Sequence, residues 1–260
     1  GSLTPGVTVN VSGGARTVSG GNPNLDPIRA KTADLGFEWY FDEGAMLGLG
    51  LFYKDIDTFV QTTRKVRSYA SSGLPASLLD GTGANVNDDF VFTVPVNTPG
   101  GPLKGFEANY VQPFTFLSGV WSNFGVQLNY TYVDSQIQYL TSSGANSLRD
   151  LLGLSKRSWN ATVFYEGERF SGRVSATNRD DYLIQVPGTE QGFTEDVHGQ
   201  NGTTTIDASL RYRISDQIEL SLEGINLTDE YNDRYVDETN RISDYRHTGR
   251  EIAVGLRWKY

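Results

Sequence analysis

Apolar and polar residues alternate with a period of two along most of this chain, which is the spacing of a strand that shows different faces to two environments. Leu35, Phe37, Trp39 and Phe41 share one parity, while Asp34, Gly36, Glu38 and Tyr40 take the other. After a turn at Asp42-Glu43-Gly44, Leu47, Leu49, Leu51 and Tyr53 alternate with Gly48, Gly50, Phe52 and Lys54, so a hairpin is predicted. The pattern returns at 106–110, 124–132, 158–165, 169–176, 206–213, 218–223 and 251–260. It amounts to about nine strands, each near the roughly 10 residues that cross a bilayer when tilted.

The connections alternate in length. Short ones are predicted at 42–45, 113–120, 166–168 and 213–217, and long ones at 61–102, 136–155, 181–202 and 228–248. All long loops therefore fall at one end of the strands, as in bacterial membrane barrels with short periplasmic turns and long external loops. That polarity puts the C-terminus in the periplasm. Aromatics gather near strand tips (Trp39, Tyr40, Phe41, Tyr53, Trp121, Phe124, Trp159, Tyr165, Phe170, Trp258 and Tyr260), where they would form interface girdles. The competing reading places them in the core of a soluble β-sandwich.

Composition narrows the choice. Fourteen Tyr and 13 Phe against one Met, with 29 Gly, favour strands and turns over helices. Mean hydropathy is -0.39, and no apolar run approaches the roughly 18 residues of a membrane helix. A membrane barrel remains open, because every second strand residue faces a polar interior. Net charge of -9 argues against a nucleic-acid partner. The absence of cysteine removes disulfides and thiolate metal sites. No signal peptide opens the chain, and Gly1-Ser2 reads as left over from cloning.

Several segments carry a resemblance. Gly21-Asn22-Pro23-Asn24-Leu25-Asp26-Pro27 ahead of Leu35-Gly36-Phe37-Glu38-Trp39-Tyr40-Phe41 resembles a stretch in the second half of TonB-dependent receptor barrels. Phe52-Tyr53-Lys54-Asp55-Ile56, Lys104-Gly105-Phe106-Glu107 and Gly224-Ile225-Asn226-Leu227-Thr228-Asp229-Glu230 are similar to further pieces of that family, in its order. Gly249-Arg250 opens a last strand of the family's form, ending on Tyr260 where Phe is commoner.

The resemblance implies an all-β fold, an antiparallel transmembrane β-barrel segment in the cell outer membrane. Residues 1–30 would be an extracellular loop segment and 31–260 the C-terminal strands, with no plug domain or TonB box in the chain. Family barrels of about 22 strands close around a plug. The implied partners are outer-membrane lipid, the remainder of the receptor (plug and other strands), the TonB complex and a small nutrient ligand, with no cofactor. The long loops resemble a Xanthomonas- and Caulobacter-like branch, which favours carbohydrate over an iron-siderophore. Trp258 and Tyr260 would form the barrel-assembly signal.

Candidate site residues follow from the two faces. Glu38, Lys54, Glu107, Arg173, Arg211, Glu219, Glu223 and Arg257 are expected to line the lumen. Tyr69, Phe90, Tyr139, Tyr182, Phe193, Tyr231, Tyr235 and Tyr245 are the loop aromatics that could stack on a ligand. Asp88-Asp89 and Asp229, Glu230, Asp233 and Asp237 are acidic enough for calcium, but show no ordered ligand spacing, and hydrated loop charge explains them. His198 and His247 lack a second ligand at zinc spacing, so no metal is expected. Asp244 with His247, or Asp88 with Asp89, could make an acid-base pair, but no nucleophile motif accompanies them and no enzyme is expected. Five Asn-X-Ser/Thr sequons, at Asn10, Asn129, Asn160, Asn201 and Asn226, read as chance. The alternatives are a complete small barrel, acting as pore or enzyme, and a soluble β-sandwich binding module.

Overall fold

Alternating side chains need a sheet with two unlike faces, and the computed structural model, which describes residues 6–140, 146–186, 197–237 and 239–259, has one. The chain opens with a hairpin of β1 (Val7–Ser12) and β2 (Ala15–Gly20), turned by Gly13 and Gly14 at φ 58° and 84°. Positive φ at both turn residues matches the twist of a two-residue hairpin, and glycine adopts it without cost. Then come β3 (Arg29–Asp42) and β4 (Ala45–Ser68), joined at Glu43-Gly44, and β5 (Asp89–Pro113). The remaining strands are β6 (Phe124–Ser135), β7 (Ile137–Leu140), β8 (Asn146–Arg149), β9 (Arg157–Glu166), β10 (Phe170–Arg179), β11 (Tyr182–Gln185), β12 (His198–Gln200), β13 (Thr203–Arg213), β14 (Ile218–Ile225), β15 (Asn232–Val236), β16 (Arg241–Arg246) and β17 (Glu251–Trp258).

Nine strands form one antiparallel meander, β3-β4-β5-β6-β9-β10-β13-β14-β17, with β3 and β17 as its edges. Register carries one apolar band across them. In one row Gly172, Leu210, Leu222 and Val254 stand side by side; in another Val126, Val163, Val174 and Ala208 do. These side chains are not packed between sheets: Leu35 is 67% exposed, Val163 50% and Val254 72%. An apolar face this large left open to the surroundings is what a barrel shows to lipid, and a sandwich would bury it.

Rings border the band at both ends. On the turn side Trp121, Phe124, Tyr165 and Phe170 follow one another at 4.9–5.8 Å. On the loop side Phe106 stacks near Tyr130 and Tyr132 at 5.7 and 5.9 Å. Tyr40 departs from the expected girdle: its register puts it on the polar face with Met46, and its hydroxyl donates to Glu38 at 2.6 Å.

One correction concerns the long connections. The segment 61–102 is mostly not loop, since β4 and β5 stay paired out to Ser68 and Asp89. The β1–β2 hairpin leans on that ribbon through β2–β5 pairing, and β3 starts at Arg29. The buried clusters also lie at the loop end. One joins Val18, Tyr69, Leu79, Phe90 and Phe92; another joins Ile137, Tyr139 and Val186. The other long connections carry a β7–β8 hairpin and a four-stranded sheet in the order β11-β12-β15-β16.

The motif residues hold this end together. Asn22 donates to the Pro95 carbonyl at 3.1 Å, and Asn97 both accepts from the Asp26 amide and donates to its carbonyl, strapping 22–26 onto β5. At Gly105 a Cβ would collide with the Tyr132 carbonyl and come within 2.6 Å of the Phe52 ring, so the close approach of these strands requires glycine.

Candidate functional site

The polar wall is built by the second parity of the same nine strands. All eight expected wall residues share that face: Glu38, Lys54, Glu107, Arg173, Arg211, Glu219, Glu223 and Arg257 follow the opposite register to the apolar band. Arg213, Glu219 and Arg257 stand in one row, and Arg173, Ser209 and Glu223 in another, with Ser171, Arg211 and Ser221 in the row between them. Toward the loops hydroxyl and amide groups join the wall, with Asp207 opposite Ser175. Thr162 and Ser175 hydroxyls lie 2.7 Å apart, and Asn160 donates to Thr177 at 2.8 Å.

At the loop end this face ends on Arg179 opposite Thr203, and there the four-stranded sheet takes over. Its register places Tyr182, Gln200, Arg234 and Asp244 in one row, with Asn232 opposite Arg246 beside them. Together with Arg179, Asp180, Asn201 and Thr203 these residues line a hollow of about 270 Å³. The guanidinium of Arg179 is fixed: Nε donates to Ser155 Oγ at 2.7 Å, one terminal nitrogen donates to the Gly153 carbonyl at 2.6 Å, and the group lies 3.9 Å over the Tyr182 ring. Arg246 Nε donates to Asp244 at 3.2 Å, and Gln200 donates to Asn232 at 3.3 Å. A second hollow of about 580 Å³ includes Asn178 and Thr204, which share the parity of the apolar band, and so opens on the other side of the sheet.

The expected aromatic candidates divide. Tyr69 and Phe90 are wholly buried against each other, and Tyr139 is 1% exposed, its hydroxyl donating to the Asp150 carbonyl and accepting from the Leu152 amide. As ligand-stacking rings these three are corrected: they are the cores of their own loops and have no open face. Tyr182 lines the smaller hollow and Tyr235 the larger. Tyr231 and Tyr245 are exposed and pair at 5.0 Å beside His247. Phe193, like Tyr260, lies outside the described residues. Trp258 sits at the turn end of the apolar band, opposite Ile218 and 65% exposed.

Neither acid-base pair forms. Asp244 holds Arg246, His247 holds Asp229 at 3.1 Å, and Asp88 holds Arg16 at 3.2 Å. Among the described residues no three His, Asp or Glu side chains converge as metal ligands. Asp237 is held below the usual carboxylate range by hydrogen bonds from the Thr239 hydroxyl and amide, with Arg241 close by. Burial pushes Asp150 up, opposed by Lys156 and reinforced by Asp134 and Asp181.

Sequence reasoning missed Gln200, Asn232, Arg234 and Arg246. They lie on two strands far apart in sequence and one more beside them, and their only joint signal was alternation within short segments such as Asn232–Val236.

Comparison with known proteins agrees with this architecture. The family described as TonB dependent receptor-like, beta-barrel, matches residues 1–227. No curated protein sequence matches the chain. Among solved structures, a ferric enterobactin receptor mutant from Pseudomonas aeruginosa aligns at TM-score 0.63 and 16% identity, covering 99% of this chain and 36% of that one. The siderophore receptor PirA from Acinetobacter baumannii aligns at 0.63 and 18%, covering 99% and 35%. The FrpB iron transporter from Neisseria meningitidis aligns at 0.55 and 13%, covering 91% and 31%. The chain thus spans about a third of the length of these structures, and at such identities the likeness carries the fold alone.

Proposed function

The chain belongs to the TonB dependent receptor-like β-barrel family, and on that premise we propose that it supplies the last strands of an outer-membrane receptor that imports a small nutrient. One observation carries the reading: a single exposed apolar band crosses all nine strands opposite a charged wall, with every long connection at one end. Lipid satisfies the band, and an aqueous lumen satisfies the wall.

In this reading the turn end faces the periplasm and the loop end faces outward. The free edges of β3 and β17 expose unpaired backbone groups, which hydrocarbon does not tolerate, so the remainder of the receptor pairs with both and closes the barrel. The full receptor binds its ligand at the loop end; the TonB complex then displaces a plug carried elsewhere in the protein. Trp258, together with Tyr260, acts in barrel assembly, and the chain itself carries out no catalysis and holds no cofactor. Carbohydrate and iron chelate remain the two substrate classes; the names of the solved neighbours refer to iron and siderophores, and nothing in them favours carbohydrate.

The test is expression of the complete reading frame. A heat-modifiable band in outer-membrane fractions, with protease cleavage at 69–88 in intact cells, is the expected result. A soluble monomer in the absence of detergent would refute the assignment.

A further inference from the structure

We infer that the hollow beside Arg179 receives the carboxylate of a small hydroxylated acid, with Arg234 as its partner. The inference rests on the receptor reading, which makes this hollow part of the space where ligand arrives. Three features on the sheet carry it.

First, its position is set by register. Arg179 and Thr203 pair on the polar wall, and Tyr182, Gln200, Arg234 and Asp244, one row of the neighbouring sheet, line the same hollow with them, the Arg179 guanidinium lying over the Tyr182 ring. The hollow therefore opens on the same side as the lumen.

Second, its lining is mostly polar, whereas small-molecule sites are mostly apolar with a few polar groups, so its occupant is hydrophilic. At about 270 Å³ it lies just below the roughly 300–1,000 Å³ typical of such sites, the size of one sugar-like unit. Gln200 and Asn232 present amides and Asp244 a carboxylate, which suit hydroxyl groups acting both as donors and as acceptors.

Third, the cations are not equivalent. Arg179 is tied to Ser155, Gly153 and the Tyr182 ring, and Arg246 to Asp244. The Arg234 side chain has no hydrogen bond or ion pair among the described residues, although it stands in the middle of the row. One unengaged guanidinium fork matches one carboxylate, two parallel N–H···O bonds at a time. A doubly charged phosphate would be opposed by Asp180 and Asp244, which line the same hollow.

A hydroxylated carboxylate could reach the site as a sugar acid or within a hydroxycarboxylate iron chelate. Calorimetric titration of the complete receptor in detergent with glucuronate, ferric citrate and glucose separates these. Binding of glucuronate or of ferric citrate, weakened about tenfold or more by Arg234→Gln and partly restored by Arg234→Lys, is expected, since a hydrogen bond to a charged group contributes roughly 1.5–3 kcal/mol. The acid that binds names the source. Glucose binding as tightly as glucuronate, binding indifferent to Arg234→Gln, or no binding of either acid overturns the inference. Heat-modifiability of the same preparations keeps the two claims apart: a folded barrel without acid binding removes the site and leaves the receptor reading intact.

Discussion

The rings of Tyr69 and Phe90 meet at 5.3 Å and 59° with no exposed surface on either, closing the tip of the β4–β5 ribbon from inside. Leu79, Phe92 and Val18 complete that cluster, so the tip has a core independent of the lipid-facing band. Phe90→Ala should leave a cavity costing about 3–5 kcal/mol locally. Limited proteolysis should then cut within 69–88 much faster, while heat-modifiability of the barrel stays unchanged. Unaltered cleavage would mean that the tip is held by its backbone pairing alone.

Leu222 lies between Leu210 and Val254 in the middle of the apolar band, whereas Ser209 lies on the opposite face beside Glu223. A cation on the lipid face near the bilayer midplane costs about 2–4 kcal/mol, and a lumen substitution costs little. Leu222→Arg should lower the unfolding free energy of the complete receptor, measured by urea titration in lipid, by that amount, and Ser209→Arg should not. Equal effects would contradict the assignment of faces.

Gly105, in a segment that carries the resemblance, and Gly50, outside those segments, provide a similar contrast. A Cβ at Gly105 meets the Tyr132 carbonyl and the Phe52 ring, but at Gly50 its nearest neighbour is Glu107 Cβ at 4.0 Å. Overpacking typically costs about 1–3 kcal/mol. Gly105→Ala should therefore reduce the yield of heat-modifiable protein, with Gly50→Ala close to wild type.

The nine-strand sheet was legible because lipid and water impose opposite demands on alternate residues, as in Leu47, Leu49 and Leu51 against Gly48, Gly50 and Phe52. Beyond the band that demand disappears. Gln61-Thr62-Thr63-Arg64-Lys65 continues β4 with no apolar face, so it read as loop although it is paired throughout with β5. The residues of the opposite, polar face were legible for the same reason as the band, as Arg173 and Glu223 show. The hollow was not, since Tyr182, Gln200 and Arg234 meet only through pairing of strands separated by up to fifty-odd residues. Loop aromatics were misjudged at Tyr69, Phe90 and Tyr139 because a ring in a polar segment looks alike in sequence whether it faces solvent or fills the loop's own core.

Asp150 offers a pH test at the loop end. Burial, with Asp134 and Asp181 nearby, raises its carboxyl above the ordinary 3.8, and Lys156 only partly offsets this. The folded loop therefore holds the proton more tightly than the unfolded chain, so protection is greatest below 3.8 and falls as pH rises through the folded value. Hydrogen exchange across 146–156 should be slower at pH 4 than expected from intrinsic rates at pH 7, and Asp150→Asn should remove that difference. A difference of the same size in Asp150→Asn would assign it to another group.

Asn226 sits in a left-handed conformation, φ 53°, where the outer end of β14 turns away. Its amide nitrogen donates to the carbonyls of Glu230 and Gly249, its side-chain oxygen accepts from the Glu230 amide, and its backbone amide donates to Asp207. Thr228 adds a bond to the Thr204 carbonyl, so Asn-Leu-Thr joins β13, β14 and the approach to β17. Asn tolerates this φ better than most residues, and Gly tolerates it fully. Asn226→Ala loses both conformation and bonds; Asn226→Gly loses only the bonds. At about 1 kcal/mol for each net hydrogen bond, Asn226→Gly should destabilise the complete receptor by roughly 2–3 kcal/mol and Asn226→Ala by more. Thermal unfolding of both variants decides between the roles: if Asn226→Gly unfolds like wild type, the residue serves only its backbone angle, and the side-chain network contributes nothing measurable.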